Sequence, residues 1–183
     1  MGPRPKLRAA VKAAPSVPYK SFRPQFKSGD LIAQSHGSWS SWSDIQVIGV
    51  RAFTLSTYSH VGVIWVDPAD SGVYVFEAVT PCVRRVRLSS IGSFYHLPLH
   101  SRWTDYTTAF ADATLGTPYS KLLAMFAFFA PLPAGTIRQC AALSREIMIR
   151  AGVDLGRMSR PDSVVQAALA MGSTLTFVKQ GEA

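Results

Sequence analysis

The chain has 183 residues, 48% hydrophobic and 16% charged, which is one domain's worth of core-forming sequence and excludes a disordered chain over most of its length. Twelve prolines and thirteen glycines argue for many turns, against a long coiled coil or an all-helical bundle. Of the net charge of +8, six units sit on Arg4, Lys6, Arg8, Lys12, Lys20 and Arg23, in a stretch with no acid, so the rest of the chain is close to neutral.

Residues 1–25 therefore read as a basic, Pro/Ala-rich arm, and residues 26–183 as the folded domain. Such an arm is attracted to anionic surfaces, and an assembly partner for it is expected. It lacks the apolar core of a secretory signal, so the chain is expected to be cytoplasmic on synthesis. The longest apolar run, residues 122–130, is well short of the roughly 17 residues that cross a bilayer, and no transmembrane segment is expected.

In chain order, Lys27-Ser28-Gly29-Asp30 is a turn leading into a strand at 31–34, followed by a Ser/Gly/Trp-rich loop at 35–43 and a helix at 44–55. Residues 58–66 and 73–79 are β-branched, apolar runs joined by Asp67-Pro68-Ala69-Asp70-Ser71-Gly72, the clearest hairpin in the sequence. Strands follow at 83–88 and 94–99, then a helix at 104–115 closed by Gly116, and an apolar helix at 119–130. A helix is predicted over 136–151, with Thr136 and Gln139 at capping-box spacing and Cys140, Ala141, Ser144 and Met148 on one face. A short helix from Pro161 to Met171 and a strand at 174–178 complete an α+β order: a helix, a run of antiparallel strands, then mostly helices.

Cys140 opens the 136–151 helix, where the helix dipole and unpaired backbone N–H groups favour the reactive thiolate. The same N–H groups are suited to hold an oxyanion. His60 is a polar ring on an otherwise apolar strand face, and Glu77 is a carboxylate within a seven-residue apolar strand. Both need partners if buried. A hairpin loop at 67–72 sets His60 opposite Val79 and Gly62 opposite Glu77, so that His60 and Glu77 are diagonal neighbours on one face. A slip of one residue would separate them. In the favourable register Glu77 holds one imidazole nitrogen and leaves the other for a thiol, with Gly62 leaving room for substrate.

Gly29-Asp30-Leu31-Ile32, Tyr58-Ser59-His60-Val61-Gly62-Val63, Phe76-Glu77-Ala78-Val79, Gly116-Thr117-Pro118-Tyr119 and a cysteine opening a helix, taken in that order, resemble the circularly permuted NlpC-type papain-like cysteine peptidases, the YiiX/YebB-like group. The resemblance spans residues 28–171. It implies an antiparallel sheet or half-barrel packed against helices, with Cys140 as nucleophile, His60 as base and Glu77 as the orienting residue. Related lecithin:retinol acyltransferase-like enzymes share this order but usually carry a second histidine at the place of Glu77. The chain departs from the family's frequent Cys-Ser-Glu-Leu at the nucleophile, reading Cys140-Ala141-Ala142-Leu143.

The expectation is a thiol hydrolase that cleaves amide bonds by a Cys140–His60–Glu77 mechanism. A backbone N–H near Cys140 stabilises the oxyanion, with Gln139 or Tyr58 as helpers. The resemblance implies bacterial wall peptides as substrate, or N-acyl links of lipids, and carriage in a phage particle would reconcile such a substrate with the missing signal. The alternative is a non-catalytic assembly protein that keeps the scaffold and docks through its arm. His36, His96 and His100 form no metal-ligand spacing with Cys82 or Cys140, and neither metal nor cofactor is expected. His96 would stand in for Glu77 if the hairpin register slipped. Cys82 reads as packing, and Trp39 and Trp42 as cleft lining or a covered core edge. Alternation places Arg85 and Arg87 on one strand face and Arg84 on the other, a solvated strand or small anion site without the interleaved aromatics of a nucleic-acid platform.

Overall fold

The computed structural model describes residues 11, 13–35, 58–119, 139–156 and 160–181. The helix expected at 44–55 lies outside these residues, as do most of the 35–43 loop and of the 119–130 helix, the start of the basic arm, and His36, Trp39, Trp42 and Thr136.

The described architecture is α+β, a mixed seven-stranded sheet packed against helices. The strands are β1 (Ser16–Pro18), β2 (Leu31–Gln34), β3 (His60–Val66), β4 (Val73–Val79), β5 (Cys82–Arg87), β6 (Phe94–Leu97) and β7 (Thr176–Lys179), in the order β1-β7-β6-β2-β3-β4-β5. Only the β1–β7 pair is parallel. The helices are α1 (Tyr19–Phe22), α2 (Asp105–Ala113), α3 (Cys140–Arg150) and α4 (Pro161–Ala170).

Alternation along the strands gives the sheet two apolar faces. Leu31, Ala33, Val61, Val63, Trp65, Phe76 and Ala78 pack with Ala141, Leu143, Ile147 and Met148 of α3 and Val164, Val165 and Ala168 of α4. Ile32, Ile64, Val73, Val75, Phe94 and Val178 point the other way and are covered by Phe26, with Val17, Tyr19 and Phe22 against them. The segment that covers this second face belongs to the stretch read from charge as a free arm. Its apolar residues, spaced among Lys20 and Arg23, bury against the sheet, and Ser16–Pro18 extends the sheet along β7. Net charge located the cations of this segment, and the partial burial of Val17, Tyr19 and Phe22 adds its packing against the sheet.

The central hairpin has the expected register, with Val63 opposite Phe76 and Val66 opposite Val73. Its loop is closed by turn chemistry: Asp67 N–H donates to the Gly72 carbonyl at 2.8 Å, and Asp67 and Asp70 carboxylates accept from Ala69 and Gly72 N–H at 2.9 and 2.6 Å. Gly62 has a packing role rather than the expected substrate-admitting one. A Cβ there would lie 2.7 Å from Val75 Cγ2, 3.0 Å from the Phe76 carbonyl oxygen and 3.3 Å from Ile32 Cγ1, so the missing side chain admits the neighbouring strands.

Asp30, in the turn before β2, is 1% exposed and ties three segments together. Its carboxylate accepts from Lys27 N–H at 2.9 Å and Leu99 N–H at 3.1 Å, and its Oδ2 lies 2.8 Å from His96 Nε2. His96 is thus engaged away from Glu77 and does not stand in for it.

Gly62→Ala should destabilise the fold by about 1–3 kcal/mol through overpacking between β2 and β4. Urea denaturation checks this; an unchanged midpoint would show that the strands part freely there.

Candidate active site

Cys140 is the first residue of α3. The Thr136–Gln139 spacing predicts a helix from residue 136, but Gln139 is extended (φ −75°, ψ 149°) and forms the N-cap, without a side-chain capping bond. The helix proper starts at the cysteine. Its sulfur therefore sits in the first turn, where N–H groups have no acceptor within the helix, and the Ala141 N–H donates to it.

Strand β3 brings two groups to the same sulfur. Ile64 N–H donates across to Asp30 at 2.8 Å, so alternate amides of β3, those of Val63 and Val61, point toward β4. The registered β3–β4 ladder runs only from Val66–Val73 to Val63–Phe76. Beyond its end, Val61 N–H donates to the Cys140 sulfur, and the His60 ring hydrogen-bonds the same atom. A backbone N–H and the preceding residue's side chain can both address one sulfur only if it lies close to strand level. The thiol thus enters where β3 has left its partner.

His60 Nε2 lies 2.8 Å from Glu77 Oε2, which leaves Nδ1 for the thiol. The other carboxylate oxygen, Oε1, accepts from Arg84 Nε at 2.8 Å and Nη2 at 2.6 Å. Arg84 stands directly opposite Glu77 in the β4–β5 ladder. The structure thus assembles a row, Arg84–Glu77–His60–Cys140, from three adjacent strands and a helix N-terminus. Cys140 is 6% exposed, and the Glu77 and His60 side chains 2% and 13%.

Burial disfavours the charges of Glu77, His60 and Cys140, and in each case the partners outweigh it. Burial pushes the Glu77 carboxyl up, but the bonds and charges of His60 and Arg84 hold it below the usual carboxylate range. Burial pushes His60 down, but bonds to Cys140 and Glu77 and their negative charges raise it to about 10. Burial pushes the Cys140 thiol up, but His60 first, then the Val61 and Ala141 N–H groups, bring it below the ordinary thiol value. The favoured state is thiolate beside imidazolium beside carboxylate, a pattern suited to nucleophilic attack with a proton ready for the leaving group.

The two tyrosines divide differently from expectation. Tyr58 is fully buried, its N–H donates to Asp162 at 3.0 Å, and its ring stacks edge-on against Tyr95 at 5.6 Å. Its phenol is pushed above its usual value by burial, then by Tyr95 and Asp162, with no contribution from the thiol. Tyr119 is the tyrosine that feels Cys140: burial, then the thiolate's charge, keeps its phenol protonated. Its N–H is fixed to the Pro81 carbonyl at 2.8 Å.

Arg84 and Tyr119 are the site residues that strand alternation and motif spacing do not single out. Arg84 had a signal: the two-residue connection Thr80-Pro81 sets Val79 opposite Cys82 and hence Glu77 opposite Arg84. Arg85 and Arg87 do lie on the other side, Arg85 bonded to Asp112 at 2.7 Å and stacked 4.9 Å over Trp65. Cys82 pairs with Val79 and bridges to Pro118. A hollow of about 400 Å³ lined by Lys27, Asp30, His96 and His100 is separate from the thiol row. Among the described residues no cluster of His, Cys, Asp or Glu is arranged to hold a metal ion, and no helix is long and apolar enough to cross a membrane.

Compared with models of known protein families, the chain matches none, and comparison with curated proteins gives no match.

Titration of the thiolate by its ultraviolet absorbance should show ionisation of Cys140 well below the ordinary thiol value of about 8.5. In His60→Ala it should move upward to or beyond that value, because burial then acts with only the backbone N–H groups opposing it. Identical curves for the two proteins would show that His60 does not support the charge.

Proposed function

We propose that this chain is a thiol hydrolase that cleaves amide bonds through a covalent thioester. The observation that carries the proposal is His60, held at 2.8 Å by Glu77 on one nitrogen and hydrogen-bonded to the Cys140 sulfur by the other.

The Cys140 thiolate attacks the carbonyl carbon, forming the C–S bond and moving the π pair to oxygen. That developing oxyanion meets the Cys140 backbone N–H, which as the first amide of α3 has no acceptor within the helix. The protonated Tyr119 phenol, close enough to feel the sulfur's charge, is a second donor. Collapse of the intermediate breaks the C–N bond, and His60 gives its proton to the departing amine. His60 then takes a proton from water, whose oxygen attacks the thioester and releases the acid and the thiolate. Glu77 keeps the ring oriented and stabilises its charge throughout.

An imidazolium held by Glu77 beside the sulfur suits amides, since an amine leaves only once protonated. The order of sequence motifs supports wall peptides as the substrate class, with N-acyl lipids as the competing class. The departure at Cys140-Ala141-Ala142-Leu143 leaves the row intact, because its acid is Glu77 on β4 rather than a residue of α3.

The test is hydrolysis of soluble peptidoglycan fragments, followed by release of new amino groups. A bell-shaped kcat/KM is expected, rising with thiol ionisation below about 8.5 and falling as His60 loses its proton near about 10. The sign follows from His60: above its raised value the thiolate persists, but no proton remains for the amine. Cys140→Ala should abolish turnover, and His60→Ala should reduce it about 10²–10⁴-fold. Cleavage of N-acyl lipids alone would move the substrate class. No turnover of either substrate, with an ordinary thiol titration, would leave the assembly-protein reading.

A further inference from the structure

We propose that Arg84 is a positioning residue of this site: from the edge strand it locks the Glu77 carboxylate against His60, and so sets how far into acid the Cys140 nucleophile survives. The proposal rests on the thiol-hydrolase reading and deepens it.

The geometry is specific. Both guanidinium bonds, from Nε and Nη2, go to Oε1 and none of the contacts is shared with Oε2, which is left to His60 at 2.8 Å. Fixing one oxygen from β5 fixes the plane of the carboxylate, and thereby the direction in which the other oxygen meets the ring. A carboxylate 2% exposed cannot rely on water for this orientation. Among the described residues, the groups facing Glu77 are His60 from β3 and Arg84 from β5, with Cys140 of α3 and then Tyr119 beyond the ring. Arg85, the next cation on β5, is turned to the opposite face and bound to Asp112 of α2, so it is not placed to substitute. Directly opposed pairing of Glu77 with Arg84 makes the contact a property of strand register.

The sign follows from charge. Arg84 helps keep Glu77 ionised. Without it the row loses a positive charge and the carboxylate loses the bonds that hold its second oxygen on the ring, so the imidazolium is no longer aimed at the sulfur and the thiolate is less well supported. The acid limb of nucleophile reactivity must then move upward. Because the Arg84 side chain is 49% exposed, solvent screening places the expected displacement at the low end for a neighbouring opposite charge, about one pH unit or about tenfold in rate on the acid side.

The experiment is the rate of Cys140 alkylation by iodoacetamide against pH in the full chain, for wild type, Arg84→Ala, Arg84→Lys, Glu77→Gln and His60→Ala, with Cys82→Ala in every background. Arg84→Ala is expected to displace the acid limb upward by about one unit, and Arg84→Lys, which keeps the charge but not the fork, to recover part of it. A purely structural arginine would lower the thermal midpoint and leave the limb in place. An acid limb identical in wild type and Arg84→Ala, with Glu77→Gln displaced, overturns the proposal. Wild type that alkylates no better in acid than His60→Ala overturns the underlying thiol-hydrolase reading instead. If Arg84→Ala does not fold, Arg84→Lys decides alone: a limb displaced upward supports the lock, an unmoved limb overturns it.

Discussion

A buried carboxylate is the constraint on which the rest of the site depends. Removing an ion of this size from water costs several kcal/mol even after relaxation, and an unpaired charge left in such a place typically destabilises a fold by about 3–5 kcal/mol. Glu77, 2% exposed, stays ionised because Arg84 and His60 take one oxygen each. Neither partner alone is sufficient, since each leaves two lone pairs of the other oxygen facing protein. The requirement ties β5 to β3 through β4, and explains why a polar row runs across the largely apolar strands β3 and β4. Cys140 is the last member of the row, its thiol brought below the ordinary value by His60 and by the Val61 and Ala141 N–H groups.

The second constraint is the end of a ladder. A fully paired β3–β4 hairpin would direct Val61 N–H at the Ala78 carbonyl and leave no place for a foreign atom between the strands. By ending at Val63–Phe76, the ladder turns that N–H toward the Cys140 sulfur. Gly62 sits at the point of departure, where Val75, the Phe76 carbonyl and Ile32 close in from both sides. Helix α3 is pressed against the sheet by Ala141, Leu143, Ile147 and Met148. Packing of its apolar face thus delivers its N-terminus to the opening, so the core and the site are positioned by the same contacts.

This division explains what was legible in the sequence. The hairpin at 67–72 could be read because its turn residues are local, and from it the pairing geometry that brings His60 to Glu77 followed. Cys140 was legible as a helix-start thiol, although the start itself falls four residues later than the Thr136–Gln139 spacing predicts, because an extended Gln139 outranks a capping pattern. Arg84 was hidden by a face-by-face count that asks which side a residue takes but not what stands across from it. Tyr119 and Tyr58 are exchanged because a tyrosine two residues from the histidine in sequence points to Tyr95 and Asp162, while one far along the chain returns beside the thiol. The packing of the N-terminal segment is hard to read for a related reason: charge is visible residue by residue, but the partial burial of Val17, Tyr19 and Phe22 exists only once β7 and the second sheet face are in place.

Among the described residues the acid–histidine pair occurs twice, in surroundings that differ on the far side of the ring. Asp30 and His96 are 2.8 Å apart and as deeply buried as Glu77 and His60. Asp30, however, accepts from the backbone at Lys27 and Leu99, so its charge is used to pin two loops. The His96 ring lies edge-on against Phe22 and Phe26, and its Nδ1 is buried without a partner among the described residues. Glu77 instead draws its donors from side chains, and the far nitrogen of His60 meets a sulfur at a helix N-terminus. The same two functional groups thus pin two loops in one place and face a thiol in the other, and the difference lies in what stands on the far side of the imidazole.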